Sequence, residues 1–330
     1  MTNDASATGT MTSATKRSES LTVILPSYNE AENLPEVIDE LTGYLNTLFA
    51  DWTILVVDDG STDNTSAVMA ELNRKDPRVQ TLAFRRNRGK SAALQSAFDQ
   101  VDSDLILLMD ADGQDNPAAL PDLLAALDNG FDLVTGQRET RNDRTVKRTT
   151  SKLYNYATRK ATGVDGKDFN SGYKLMRGEI VQNISMYGEL HRYIPILASW
   201  QGFKVTEVPV DHRERAHGHT KFGINRFWRG MLDLFTVKFL TTYDRRPFHL
   251  VGAAGIFLLL AGGVLLAWML VLRIQGEGVG SRPALLAGVM CVVVGVQLIC
   301  VGLIAELMVH LDMQRRLDEQ RNRRLDDATL

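Results

Sequence analysis

The chain has 330 residues, 44% apolar and 23% charged, with a net charge of −3. That length and apolar content suffice for a packed core, and the nearly balanced charge argues against a nucleic-acid binder. Two cysteines, Cys291 and Cys300, exclude a disulfide framework or a thiolate metal site; both sit in a long apolar run and read as small packing residues.

Residues 1–20 are polar and rich in Ser and Thr, with no apolar stretch of the kind a signal peptide needs, and read as a disordered tail. Short β-rich runs then alternate with helical periodicity. LTVILP (Leu21–Pro26) reads as a buried strand and Asn33–Leu48 as an amphipathic helix. Thr53–Asp58 is a second strand. Thr65–Leu72 is helical, with Asp63 or Asn64 placed to cap it. Val79–Phe84 is a third strand, Lys90–Phe98 a helix, and Leu105–Asp110 a fourth strand. Pro117–Leu127 is a helix with Pro in its first turn, and Asp132–Thr135 a fifth strand. The alternation predicts an α/β domain, a mostly parallel sheet with helices on both faces.

Ligands on such sheets bind beyond the carboxyl ends of the strands. There the sequence places PSYNE (Pro26–Glu30), DDGS (Asp58–Ser61) and Asp110-Ala111-Asp112. Asp110 and Asp112 are close enough to repel unless a cation accompanies them. Mg²⁺ or Mn²⁺ takes such oxygen ligands and shares them with substrate phosphates, and Gln114 can add a neutral contact. One of Asp58 and Asp59 can accept from a uracil or guanine ring while the other reaches a ribose or the metal. Glu30 can meet ribose hydroxyls. Lys90, at a helix start, suits an anion. Each of these residues alone also fits a cap or turn. There is no G-x-G-x-x-G and no P-loop, so dinucleotide binding and P-loop hydrolysis lack support.

A basic stretch follows, from Arg138 to Lys160. Ile224–Tyr243 mixes aromatic residues with scattered charges and reads as interfacial helices, the alternative being a packed helix of the soluble domain. Charge then vanishes twice, over Leu250–Leu272 and Ala284–Ala305. The first run would span about 34 Å as a helix, enough to cross roughly 30 Å of hydrocarbon. Buried core helices are the competing reading, but few stay apolar all round for so long. Arg245 and Arg246 precede the pair, and Arg315, Arg316, Arg321, Arg323 and Arg324 follow it. The hairpin Arg273–Pro283 holds only Arg273 and Arg282. Both termini and the large domain are therefore expected on the cytoplasmic side. The expected organisation is a tail over 1–20, a catalytic domain over 21–223, interfacial helices over 224–247, two spans over 248–310 and a basic tail over 311–330.

VILPSYNEAENLPEVIDEL, VVDDGSTDNT, NRGKSAAL and DADGQD, in this order and spacing, resemble the family 2 glycosyltransferases with the GT-A Rossmann-like fold. With the two C-terminal spans, the whole resembles the polyprenyl-phosphate glycosyltransferases, the group that includes dolichol-phosphate mannose synthase and bacterial enzymes making undecaprenyl-phosphate sugars. The resemblance implies that Pro26, Tyr28, Glu30, Asp58 and Asp59 hold the nucleotide, and Lys90, Asp110 and Lys221 are counted with them as nucleotide-binding residues. It implies that Asp110, Asp112 and Gln114 hold the metal and diphosphate. An Arg after the fifth strand, then a basic residue and a Ser, matches Arg138, Arg148 and Ser151; Lys147 competes with Arg148. These would clamp a lipid phosphate. FNSGYKLMR (Phe169–Arg177) resembles the segment beside the donor sugar. In HRERAHGHTKFG (His212–Gly223), Arg215 and Lys221 would approach the diphosphate. His217 and His219 read as loop residues, and Glu189–Arg192 is a candidate to face the sugar.

The expected reaction is an inverting, metal-dependent transfer from a UDP- or GDP-sugar to a polyprenyl phosphate. Asp110, Asp112, Arg138 and Arg215 would carry it, with the bilayer as partner and self-association left open. Three alternatives compete. A processive polysaccharide synthase would carry Q-x-x-R-W, which is absent. A soluble sugar-nucleotide pyrophosphorylase would not need the spans. A degenerate membrane scaffold would not need every acidic and basic position filled.

Overall fold

The computed structural model describes residues 16–138, 168, 171–213, 248–280 and 282–327, with backbone alone at 310 and 312–327. The chain divides into two units, residues 1–237 and 238–330.

The first unit is built on a seven-stranded sheet of order β3-β2-β1-β4-β6-β5-β7. Its strands are β1 (Leu21–Ser27), β2 (Trp52–Asp58), β3 (Val79–Ala83), β4 (Leu105–Leu108), β5 (Leu133–Arg138), β6 (Lys174–Arg177) and β7 (Val205–Val210). The central β1 runs parallel to β2, from Leu21↔Trp52 to Ser27↔Asp58, and to β4 from Leu21↔Leu105. Only β6 is antiparallel, set between β4 and β5. This agrees with the expected mostly parallel sheet.

Period-two alternation assigns each strand residue to one of two apolar layers. Val23, Leu25, Ile54, Val56, Leu105 and Leu107 face one side. They pack against α1 (Leu34–Leu48) and α4 (Leu120–Asp128), through Val37, Leu41, Leu45, Leu123 and Leu127. Ile24, Leu55, Val57, Ile106 and Leu108 face the other side. There they meet α3 (Lys90–Phe98), α5 (Gly178–Asn183) and α6 (Ile194–Trp200). Between β2 and β3, α2 (Thr65–Lys75) carries Met69 into the first layer.

Most predicted elements agree to within a few residues, with three local differences. Leu105–Asp110 ends as a strand at Leu108, and Asp110 lies in the loop beyond. Pro117–Ala119 forms a 3-10 turn ahead of α4. Neither Asp63 nor Asn64 closes α2 as a regular side-chain cap; Asp63 instead accepts the Thr65 amide at 3.0 Å and the Thr65 hydroxyl at 2.5 Å. Residues 16–20, read from sequence as tail, lie against the domain. Arg17 bridges Glu19 and Asp128, and the Ser20 hydroxyl bonds Asp104 at 2.8 Å. Residues 1–15 fall outside the described residues, as do the interfacial segment 224–247 and most of the basic stretch.

The second unit is a hairpin of α7 (Phe248–Ile274) and α8 (Pro283–Asp327). Two helical stretches, Phe248–Ile274 and Pro283–Val309, are long and apolar enough to cross a membrane, with mean hydropathy 2.5 and 2.6. Only 17% and 11% of their apolar windows are covered by protein, so they are not core helices of a soluble domain. The two helices touch backbone to backbone. A Cβ on Gly255 would lie 2.7 Å from the Gly295 carbonyl, and one on Gly262 2.8 Å from the Gly288 carbonyl. Glu306 of α8 accepts the Phe248 amide at 3.2 Å, satisfying one otherwise unpaired N–H at the start of α7. Cys291 is half-buried and Cys300 exposed, so Cys300 is not the packing residue expected from composition; the glycines fill that role. The positions read as a tail after 311 continue α8 as helix up to Asp327.

Candidate active site

The parallel strands β1, β2, β4 and β5 deliver their carboxyl ends to one edge. The antiparallel β6 delivers its start, Ser171–Lys174, to the same edge. Most of the described candidate residues stand on these ends.

At β1 and β2 the loops knit together. Asn29 adopts φ 59°, and its side chain accepts the Thr62 amide at 2.8 Å while its own amide reaches the Ser61 hydroxyl at 2.9 Å. Pro26 is the last but one residue of β1, and Tyr28, just past the strand, is 38% exposed. Glu30 accepts from Asn33 at 2.6 Å and anchors its amide on Thr65 at 3.0 Å. Both aspartates of the second motif are buried and committed internally. Asp58 accepts from the Ser61 amide, the Ser61 hydroxyl and the Ser66 hydroxyl, at 2.8, 2.5 and 2.7 Å. Asp59 accepts the Arg88 and Gly89 amides at 2.7 and 2.9 Å, drawing the NRGK loop onto β2. Gly60 is required by that approach, since a Cβ would fall 2.3 Å from the Arg86 backbone.

The Lys90 ammonium meets the Asp110 carboxylate directly. Loss of solvation in the cleft opposes ionisation of Asp110, but Lys90, with Lys174 beyond it, holds the carboxyl below the usual range. Asp112 is buried and accepts the Gln114 amide at 3.2 Å. The Gln114 side-chain amide donates to the Arg213 carbonyl at 3.3 Å. Asp115, which sequence reasoning did not single out, accepts the Asp110 amide at 3.1 Å and bridges to His212. Arg213 then clasps Glu40 twice at 2.8 Å and Asn116 at 2.9 Å, fixing the loop against α1. Among the described residues no cluster of three or more carboxylate, imidazole or thiolate ligands exists. Asp110, Asp112 and the Gln114 oxygen are all hard donors. They fit a cation such as Mg²⁺ or Mn²⁺ that completes its shell with phosphate and water rather than one held in a protein cage.

Arg138, at the end of β5, pairs bidentately with Asp168 at 2.6 and 3.0 Å. Asp168 is 5% exposed and its amide donates to Glu207 at 3.1 Å. The Arg138 Nη1 group has no partner among the described residues and stays available. Sequence gave Arg138 no partner, because Asp168 lies thirty residues on, beyond the basic stretch. Lys147, Arg148, Ser151, Arg215, Lys221, His217 and His219 lie outside the described residues.

The turn before β6 joins the two sides. The Asp168 carbonyl accepts the Ser171 amide at 3.2 Å, and a Cβ on Gly172 would fall 2.6 Å from the Asp110 carboxylate. Lys174 is 2% exposed and donates to the Ser171 carbonyl. Burial, then neighbouring Lys90, pushes Lys174 down to about 8 despite Asp168 and Asp110. His191, near the same cluster, lies in a 3-10 turn (Leu190–Tyr193). Burial, followed by Lys90, Arg192 and Lys174, pushes it down to about 2, so the ring is neutral.

An α/β domain with an acidic, lysine-paired loop beyond β4 and an arginine–aspartate pair beyond β5 has the make-up of a nucleotide-dependent transferase. Residues 22–185 match glycosyl transferase family 2. The chain is 31% identical over 299 residues to dodecaprenyl-phosphate galacturonate synthase of Rhizobium johnstonii, covering 88% of each. It is 33% identical over 301 residues to undecaprenyl-phosphate 4-deoxy-4-formamido-L-arabinose transferase of Salmonella paratyphi A, covering 90% of each. The chain therefore belongs to glycosyltransferase family 2. The fold is also that of glucosyl-3-phosphoglycerate synthase from Mycobacterium tuberculosis, crystallised with Mn²⁺ and uridine-diphosphate-glucose. That match has TM-score 0.52 and 19% identity, covering 68% of this chain and 79% of that one.

Proposed function

We propose that the protein transfers a sugar from a UDP- or GDP-sugar to a membrane polyprenyl phosphate, with inversion, at the cytoplasmic face. The observation that carries this is the likeness over 88–90% of both chains to two enzymes named for polyprenyl-phosphate sugars. A bilayer anchor keeps the enzyme where such an acceptor resides. The Lys and Arg distribution around the spans supports cytoplasmic termini.

In this reading Tyr28 stacks on the base, and Pro26, Glu30, Asp58 and Asp59 shape and line the nucleoside pocket. Asp110, Asp112 and Gln114 hold Mg²⁺ or Mn²⁺, which supplies positive charge against the departing diphosphate. Lys90, Arg215 and Lys221 stand on the diphosphate side. The Arg138 Nη1 group, held in orientation by Asp168, binds the acceptor phosphate with Lys147, Arg148 and Ser151. A phosphate monoester has its second pKa near about 6, so its oxygen is already anionic at neutral pH. That oxygen attacks the anomeric carbon, the bond to the diphosphate breaks, and no strong general base is needed. Neutral His191 fits this, since it is a poor proton acceptor.

The test is a panel of nucleotide sugars offered with a polyprenyl phosphate, with mass spectrometry of the lipid product. A soluble phosphate acceptor forms the control arm. Transfer only to the soluble acceptor, or none with any sugar, refutes the reading. Asp112→Ala should abolish transfer and Mn²⁺ binding alike while the protein still inserts; activity unchanged by that substitution and by EDTA would remove the metal.

A further inference from the structure

Next to Lys90, Ser91 makes a contact that the proposed transfer leaves unexplained. Its side chain is 1% exposed. Its Oγ accepts the backbone N–H of His191 at 3.2 Å and lies 2.9 Å from Nδ1 of the same residue. A serine hydroxyl carries one proton. Among the described residues, Nδ1 is the acceptor within reach of that proton. With Nδ1 accepting that proton, the neutral ring carries its hydrogen on Nε2. No hydrogen bond to Nε2 is made among the described residues.

The place of this donor follows from sequence adjacency. Lys90 reaches Asp110 from the first turn of α3, and Ser91, one residue on, reaches His191. The imidazole thus stands beside the Lys90–Asp110 pair, and burial first, then Lys90, Arg192 and Lys174 around it, disfavours a further positive charge. Charged groups suffice to bind a diphosphate. A neutral donor of fixed tautomer suits a neutral acceptor, whose position it can read without favouring an anion.

We propose that Ser91 fixes His191 as an Nε2–H donor and that His191 binds an oxygen substituent of the donor's sugar, making it a specificity residue of the sugar subsite. This rests on the proposed nucleotide-sugar reaction. A site built to bond one substrate oxygen rejects analogues lacking it strongly, because the protein group is then left unpaired.

The test uses the full chain in nanodiscs, titrated with a productive nucleotide sugar and, separately, with its nucleoside diphosphate. His191→Ala should weaken the nucleotide sugar about tenfold and leave the nucleoside diphosphate within about twofold. His191→Gln, whose amide can replace Nε2–H, should recover part of the loss, and His191→Phe, which only fills space, should not. Nitrogen-15 spectra of labelled histidine should show His191 with its proton on Nε2, and Ser91→Ala should yield a mixture of tautomers. Equal loss on both ligands, rescue by Phe, or a proton on Nδ1 would each overturn the proposal. Failure of the unmodified protein to bind any nucleotide sugar would overturn the functional reading, and with it the ligand; the nitrogen spectrum would still decide the tautomer.

Discussion

Gly172→Ala adds a single methyl beneath the carboxylate of Asp110. The new Cβ would lie 2.6 Å from the Asp110 Cγ and Oδ2 and 2.8 Å from Oδ1. Ordinary contact begins at 3.4 Å, so something must move by about 0.8 Å. Backbone yields little here, because the turn is tied at three points: the Ser171 amide to the Asp168 carbonyl, the Lys174 ammonium to the Ser171 carbonyl, and the Gly136 amide to the Tyr173 carbonyl. The carboxylate is therefore the group displaced, and its contact with Lys90 goes with it. Overpacking of this size costs about 1–3 kcal/mol, so the domain should still fold. Misplacing a catalytic group by about 1 Å can cost on the order of 10²-fold in rate. The expected result is kcat down by about 10²-fold, Mn²⁺ binding weakened and thermal stability only modestly lowered, measured on the full chain in nanodiscs. Unchanged kcat and Mn²⁺ affinity would refute the idea that the turn before β6 is the floor of the carboxylate site.

Three further substitutions test other parts of the molecule. Arg138→Ala removes a bidentate partner of buried Asp168, so it should destabilise the domain by up to about 3–5 kcal/mol and raise the KM for the lipid phosphate. Arg138→Lys should recover stability better than acceptor use, since a point charge lacks the paired geometry; an effect confined to nucleotide affinity would contradict the clamp. Burial pushes Lys174 down to about 8 in the folded chain, against about 10.4 for an ordinary lysine. Between those values the unfolded chain binds more protons, so this residue's contribution to stability rises with pH across that window. The stability advantage of Lys174→Met over the unmodified protein should therefore shrink from pH 7 to pH 10 in thermal unfolding, and a gap independent of pH would show that Lys174 is not a strained cation. Gly255→Leu, placed against the Gly295 carbonyl, should separate α7 from α8, read as loss of a cysteine crosslink engineered across the hairpin. Retained crosslinking would show that the glycines do not set the helix spacing.

Much of the scaffold was legible because its signals are local. Five strands from β1 to β5 and the helices between them follow from short apolar runs and turn residues, each read within a dozen positions. The later strands were not legible for the opposite reason. KLMR is four residues long with a lysine at its head, and it becomes a strand only by pairing with β4 and β5 at once. VTEVPV holds a proline and a glutamate, which an edge strand tolerates, so its sequence carries little strand signal. The site divides in the same way. Asp110, Asp112, Asp58 and Asp59 were visible as clustered acids at strand ends. The Arg138–Asp168 and Ser91–His191 contacts were not, because their partners lie 30 and 100 residues apart.

Sequence by itself determined the alternation that makes a mostly parallel sheet, the acidic motifs at its strand ends and two runs too long and apolar for a soluble core. Charge, period and length are properties of neighbouring residues, and physical chemistry acts on them before any folding. Tertiary structure decided what those residues touch. It placed Lys90 on Asp110, closed Arg138 on Asp168, set Gly172 under the carboxylate and turned the His191 ring with Ser91. Each of these is a contact between segments brought together only by the stacking of strands in one sheet, so no local pattern could have carried it.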